Sequence, residues 1–168
     1  NGTINLMIGF KSATNKLPVP FFMNDASQME QLIFTPECKG NLAVYLHKVE
    51  VKQAKKVGLL ANIATLRSLI QLTSENQLSD IDKTVITINA QNEAIIFENM
   101  EEVEAFTQAN FPPYSEEDKK LLEQLNSLTR TERWQYWTEQ FSTCVKCYAC
   151  RAVCPMCYCS SCTVEGNQ

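Results

Sequence analysis

Seven of the eight cysteines in this 168-residue chain fall between Cys144 and Cys162, and Cys38 stands alone far upstream. That asymmetry constrains the chain more than any other feature. Disulfide-stapled domains spread their cysteines so that each bridge closes a loop long enough to matter, whereas these thiols would close loops of two or three residues. Such bridges would be strained and would add little stability. Thiols clustered at this spacing read as metal ligands in a reducing compartment.

The stretch Cys144-Val145-Lys146-Cys147-Tyr148-Ala149-Cys150-Arg151-Ala152-Val153-Cys154-Pro155 spells C-x2-C-x2-C-x3-C-P. Bacterial-type ferredoxins hold cubane 4Fe-4S clusters with this run. Two residues between ligands let one tight loop offer three thiolates to three corners of a cube, while the cysteine before proline turns toward a neighbouring cluster. Zinc sites more often separate two C-x2-C pairs by a dozen residues or more. The continuation, Cys157-Tyr158-Cys159-Ser160-Ser161-Cys162, does not repeat the first motif. Two accounts stay open. In one, Cys144, Cys147, Cys150 and one later thiol hold a first cluster, and Cys154 with the remaining thiols holds a second. In the other, a single cluster forms and the surplus thiols bind zinc or stay free. Unligated thiols beside a cluster are oxidation liabilities, which favours two clusters. Two cubanes need eight thiolates, so Cys38 is the candidate eighth ligand, with a buried thiol packing as a small hydrophobe as its alternative. Lys146 and Arg151 either raise the potential of a nearby cluster or point to solvent.

Upstream, residues 1–111 are expected to form an α/β (or α+β) scaffold and docking domain. Asn5 to Phe10 and Val19 to Phe22 read as two strands around a turn. Asp25 caps a short helix before Leu32, and Asn41 caps Leu42 to Lys48. The apolar run Val57 to Ala61, the helical spacing of Thr65 to Leu72 and the run Lys83 to Ile88 make a parallel βαβ unit. Ala94 to Phe97 adds a strand and Met100 to Gln108 a helix. Phe111-Pro112-Pro113-Tyr114 breaks the pattern. Residues 112–143 form a helical arm, whose first helix starts with a capping box at Ser115 and whose second is capped by Thr131. Trp134, Trp137 and Phe141 share one face of that second helix, and core packing is the expectation for them, ahead of a place on an electron path. Residues 144–168 form the ferredoxin-like iron-sulfur segment.

Fifteen Lys and Arg against nineteen Asp and Glu give a net charge of -4 without long blocks of either sign, so no nucleic-acid surface is expected. The apolar runs are too short to span a bilayer, and Asn1 opens no charged-then-apolar signal segment, which points to a cytoplasmic chain. A native chain starts with Met, so an initiator segment or cleaved leader ahead of Asn1 stays open.

The segment from Glu132-Arg133-Trp134-Gln135-Tyr136-Trp137 through the cysteine run to Cys162 resembles the iron-sulfur subunits related to the beta subunits of deazaflavin-coenzyme-reducing hydrogenases and formate dehydrogenases. Pro36-Glu37-Cys38-Lys39-Gly40-Asn41-Leu42-Ala43-Val44-Tyr45-Leu46 is similar to their N-terminal region. The resemblance implies electron transfer among hydrogenase, formate dehydrogenase and heterodisulfide-reductase-type partners, and some members of the family bind flavin. Two departures stand out. Where relatives carry a Gly-Cys-Asp-x-Arg element, Ile63-Ala64-Thr65-Leu66-Arg67 keeps only Arg67, and the additional central cysteines of relatives are absent here.

No catalytic residue is assigned. The one histidine, His47, falls on an expected amphipathic helix, where packing outweighs catalysis. No G-x-G-x-x-G or P-loop follows a strand, so flavin, if present, is expected on a partner subunit. The expectation is an electron-transfer subunit with one or two 4Fe-4S clusters inside an anaerobic oxidoreductase complex. The alternatives are a flavin-containing beta-type subunit and a zinc-based interaction module.

Overall fold

The computed structural model describes residues 3–159, so Cys162, an expected ligand, lies outside the described residues. The chain divides into two compact units. The first runs to Asn110 and takes the chain up again at Cys150, and the second is Phe111–Ala149.

The first unit is built on a five-stranded mixed sheet in the order β2-β1-β3-β4-β5. Its strands are β1 (Leu6–Ser12), β2 (Pro18–Met23), β3 (Val57–Leu60), β4 (Lys83–Ile88) and β5 (Ala94–Phe97). The inner strands β1, β3 and β4 run parallel, and β2 and β5 close the edges antiparallel. Pro18 and Pro20 can sit in β2 because an edge strand has one row of N–H groups that the ladder does not need. All four residues of β3 are buried, which explains its unbroken apolar composition: a central parallel strand is covered on both faces. Gly58 leaves room for its neighbours: a Cβ there would lie 2.5 Å from Met7 Sδ and 2.9 Å from Ile4 Cδ1, so the ends of both side chains would have to shift.

Alternation along the strands sorts the core into two faces. Ile8, Phe10, Val57, Leu59, Val85 and Phe97 face one way, and Leu66, Leu69 and Leu72 of α2 (Ile63–Ser74) and Val103 of α3 (Met100–Ala109) pack against them. Met7, Phe21, Met23 and Leu60 face the other way, where Ile4, Leu32, Phe34, Ile86 and Ile88 surround them. Between β2 and β3 the chain takes a 3-10 turn at Ala26–Gln31 capped by Asp25, a second at Leu42–Tyr45 capped by Asn41, and the single-turn helix α1 (Val49–Lys52). The helices expected at the first two places are therefore 3-10 turns, and His47 lies beyond the end of the second. Hydrogen bonds to α2 hold this region: Leu42 N–H donates to Thr65 Oγ1 at 3.1 Å, and Asn41 Nδ2 donates to Ser68 Oγ at 2.8 Å. Among the described residues no helix is long and apolar enough to cross a membrane.

The second unit carries two consecutive helices, α4 (Glu116–Ser127) and α5 (Arg130–Phe141), joined through Leu128 and Thr129 and called the hairpin for that short link. Each helix begins with a reciprocal capping box, Ser115 with Asp118 and Thr129 with Glu132, so the second cap is Thr129, two residues ahead of the expected Thr131. No residue of this unit is buried, and only Leu125, Leu128 and Tyr136 are half-buried. Trp134, Trp137 and Phe141 are 76%, 44% and 67% exposed, so core packing is not their role here.

Candidate metal centre

Cys144 follows directly on the end of α5. Ser142 closes the helix by donating to Glu139 O, and Cys144 N–H donates to Phe141 O at 3.0 Å. The next thiols come from a loop with unusual backbone. Lys146 and Tyr148 have φ of 54° and 59°, in the left-handed region. Asn76 and Asn92 also lie there, which is routine for asparagine in turns, but a bulky residue such as Tyr148 costs about 1–2 kcal/mol relative to the right-handed form. Left-handed residues at alternate positions turn successive backbone N–H groups inward, a concavity that suits anions and recurs at iron-sulfur sites.

The one-turn helix α6 (Ala149–Ala152) carries Cys150, and two tight turns follow, with Cys154 N–H donating to Arg151 O at 3.2 Å and Cys157 N–H to Cys154 O at 3.1 Å. Cys144, Cys147, Cys150, Cys157 and Cys159 are exposed and Cys154 is half-buried, and no disulfide joins any of the described cysteines. Cys144 and Cys147 belong to the second unit, and Cys150, Cys154, Cys157 and Cys159 to the first. Among the described residues no three His, Cys, Asp or Glu side chains stand together as a metal-holding group. The structure presents the thiols on tight turns without gathering them. As a donor set they fit an iron-sulfur cluster: soft thiolates, accessible, on short turns. Lys146 is exposed, and Arg151 is half-buried.

Cys38 has a different setting. It is 3% exposed within the main core, its Sγ accepts from Thr35 N–H at 3.4 Å, and its carbonyl accepts from Asn62 Nδ2 at 2.6 Å. The loop around it is thus tied to the start of α2. The same ties close the N-terminus of α2: Asn62 Oδ1 accepts from Thr65 N–H at 2.9 Å, and its Nδ2 also reaches Gly40 O at 2.9 Å. One of the N–H groups that in nucleotide-binding α/β folds meet a phosphate, that of Thr65, is thus satisfied within the chain here.

Spacing gave no sign of one further group of residues. Tyr158, between Cys157 and Cys159, donates its hydroxyl to Glu75 Oε2 at 2.7 Å, and its ring lies 5.4 Å from that of His47 at a tilt of 40°. Glu75 caps the end of α2 and also accepts from Gln71 Nε2, and these two hydrogen bonds, Gln71 first, hold its carboxyl below the usual range. The bond to Glu75 raises the Tyr158 phenol in turn. Burial, helped by Lys52 and opposed by Asp80, lowers the His47 imidazole, whose Nε2 is buried without a hydrogen-bond partner. An aromatic residue between two thiols in an otherwise polar tail was the only available signal for this contact.

Fold and thiols together define a class: a mixed α/β scaffold that carries a C-x2-C-x2-C-x3-C-P cysteine run on exposed turns. No protein-family model matches the chain. Over short segments it is similar to curated proteins that include the F420-dependent formate dehydrogenase 1 subunit beta of Methanococcus maripaludis, 50% identical over 31 residues, or 18% of this chain and 8% of that protein. Another is the F420-dependent formate dehydrogenase subunit beta of Methanocaldococcus jannaschii, 42% identical over 50 residues, or 29% of this chain and 11% of that one. These segments relate the chain to the beta subunits of F420-dependent formate dehydrogenases, of whose length the matched part spans about a tenth.

Proposed function

We propose that the chain is an electron-transfer subunit of an oxidoreductase complex and binds at least one 4Fe-4S cluster through Cys144, Cys147, Cys150 and one later thiol, with Cys154 and the rest of Cys157, Cys159 and Cys162 contributing ligands to a second, completed by a ligand from outside the tail. The observation that carries this reading is the C-x2-C-x2-C-x3-C-P run on an exposed loop with Lys146 and Tyr148 in the left-handed region. A bound cluster supplies one-electron storage. The protein's part is to hold four thiolates, direct backbone N–H groups at the sulfur atoms and leave one side open to a partner. The similarity to formate dehydrogenase beta subunits supports a redox partner of that kind. Cys38 needs no ligand role in this reading, since its buried thiol already packs within the core.

Anaerobic purification with iron and sulfide analysis tests the proposal. A brown protein absorbing broadly near 400 nm is expected, and Cys147→Ser should lose about four irons per chain. Zinc without iron in the wild-type chain would overturn the reading in favour of an interaction module, and flavin released on heating would favour the flavin-containing beta-type subunit.

A further inference from the structure

We propose that Tyr158 is a positioning residue that clasps the cysteine tail to the scaffold and so sets the direction in which Cys157 and Cys159 face. The proposal rests on the cluster-binding reading for its purpose, but on separate contacts for its geometry. Three stretches distant in sequence meet at this ring: the turn holding His47, the end of α2 at Glu75, and the tail. Just before it Pro155 is buried, and Met156 and Tyr158 pack against the main core as partly buried residues. The two thiols that flank Tyr158 are exposed while Tyr158 itself is half-buried. The apolar ring fills a place beside His47, whose buried Nε2 has no partner of its own, and the hydroxyl ends on a carboxylate oxygen, a charge-assisted bond. A tail made only of ligands would need the metal to fix its course. This one is aimed beforehand.

Tyr158→Phe removes the hydroxyl bond and keeps the ring, Tyr158→Ala removes both, and Glu75→Gln weakens the acceptor. Hydrogen exchange of the metal-free chain, prepared anaerobically, reads the clasp directly. Amides of residues 154–159 should exchange about tenfold faster in Tyr158→Ala, with Tyr158→Phe and Glu75→Gln in between, while β3 and α2 stay protected. Unchanged exchange in Tyr158→Ala would overturn the proposal. In the iron-loaded chain the reduced-state paramagnetic resonance line shape should broaden in Tyr158→Ala and be restored in Tyr158→Phe, a response that loss of bulk stability would not give. A line shape insensitive to both would also overturn it. A wild-type chain that binds no iron sinks the cluster reading instead, and leaves the clasp to the exchange measurement.

Discussion

The scaffold and the hairpin spend similar apolar residues in opposite ways. In the scaffold, Leu66, Leu69 and Leu72 of α2 are fully buried against the sheet. In the hairpin, Leu121, Leu122, Trp134 and Phe141 stay exposed, and order comes from two capping boxes and local pairs such as Lys119 with Glu116 at 2.6 Å. Packing makes the first cooperative, whereas short isolated helices are marginal in water and depend on their ends. The difference teaches that the cysteine run joins a stable element to a weak one, since Cys144 and Cys147 follow α5 and Cys150 begins the return to the scaffold.

The sharpest way to break that contrast is to truncate one leucine on each side. Leu69→Ala should cost about 2–5 kcal/mol in denaturant melts of the scaffold. Leu121→Ala should change stability by no more than about 0.5 kcal/mol, as at ordinary surface positions. A small loss at Leu69 would mean that the sheet is not the cooperative unit. Next in size are the caps: Ser115→Ala and Thr129→Ala should each lower hairpin stability by about 1 kcal/mol, read as lost amide protection in α4 and α5 with none lost in α2. Acidification is the mildest test. Hydrogen bonds from Ser115 and Thr129 hold the Asp118 and Glu132 carboxyls below their ordinary values. A carboxyl lower in the folded state contributes fully above its unfolded value, near pH 4, and its contribution is lost as pH falls through the folded value. Exchange followed downward from pH 6 should therefore show the hairpin opening before the scaffold, and the reverse order would undo the comparison.

Much of the scaffold was legible because its periods are short-range. The runs Val57 to Ala61, Lys83 to Ile88 and Ala94 to Phe97 mark β3, β4 and β5 within a residue, and the spacing of Leu66, Leu69 and Leu72 marks the buried face of α2. The 3-10 turns at Ala26–Gln31 and Leu42–Tyr45 carry the same capping residues as α-helices, Asp25 and Asn41, so local pattern alone does not separate the two. Thr129 and Thr131 are equivalent caps by residue type, and Glu132 decides between them, because it stands three residues after Thr129. Spacing singles out the clustered thiols as candidates, but it carries no information on burial, so the core setting of Cys38 was open. The contact between Tyr158 and Glu75 joins positions far apart in the chain, beyond the reach of any periodic signal.

The return of the chain to the first unit at Cys150 also fixes an order of events during synthesis. All five strands precede Cys144. At ~5–20 residues per second, the ribosome needs roughly 2–10 s to pass from Phe97 to Cys144. Mixed α/β domains of this kind fold within about milliseconds to a second, so the sheet and α2 stand complete before a single clustered thiol emerges. The seat made by His47 and Glu75 is then waiting when Tyr158 arrives, and the last-made cysteines meet a finished surface instead of an open chain on which they could pair wrongly.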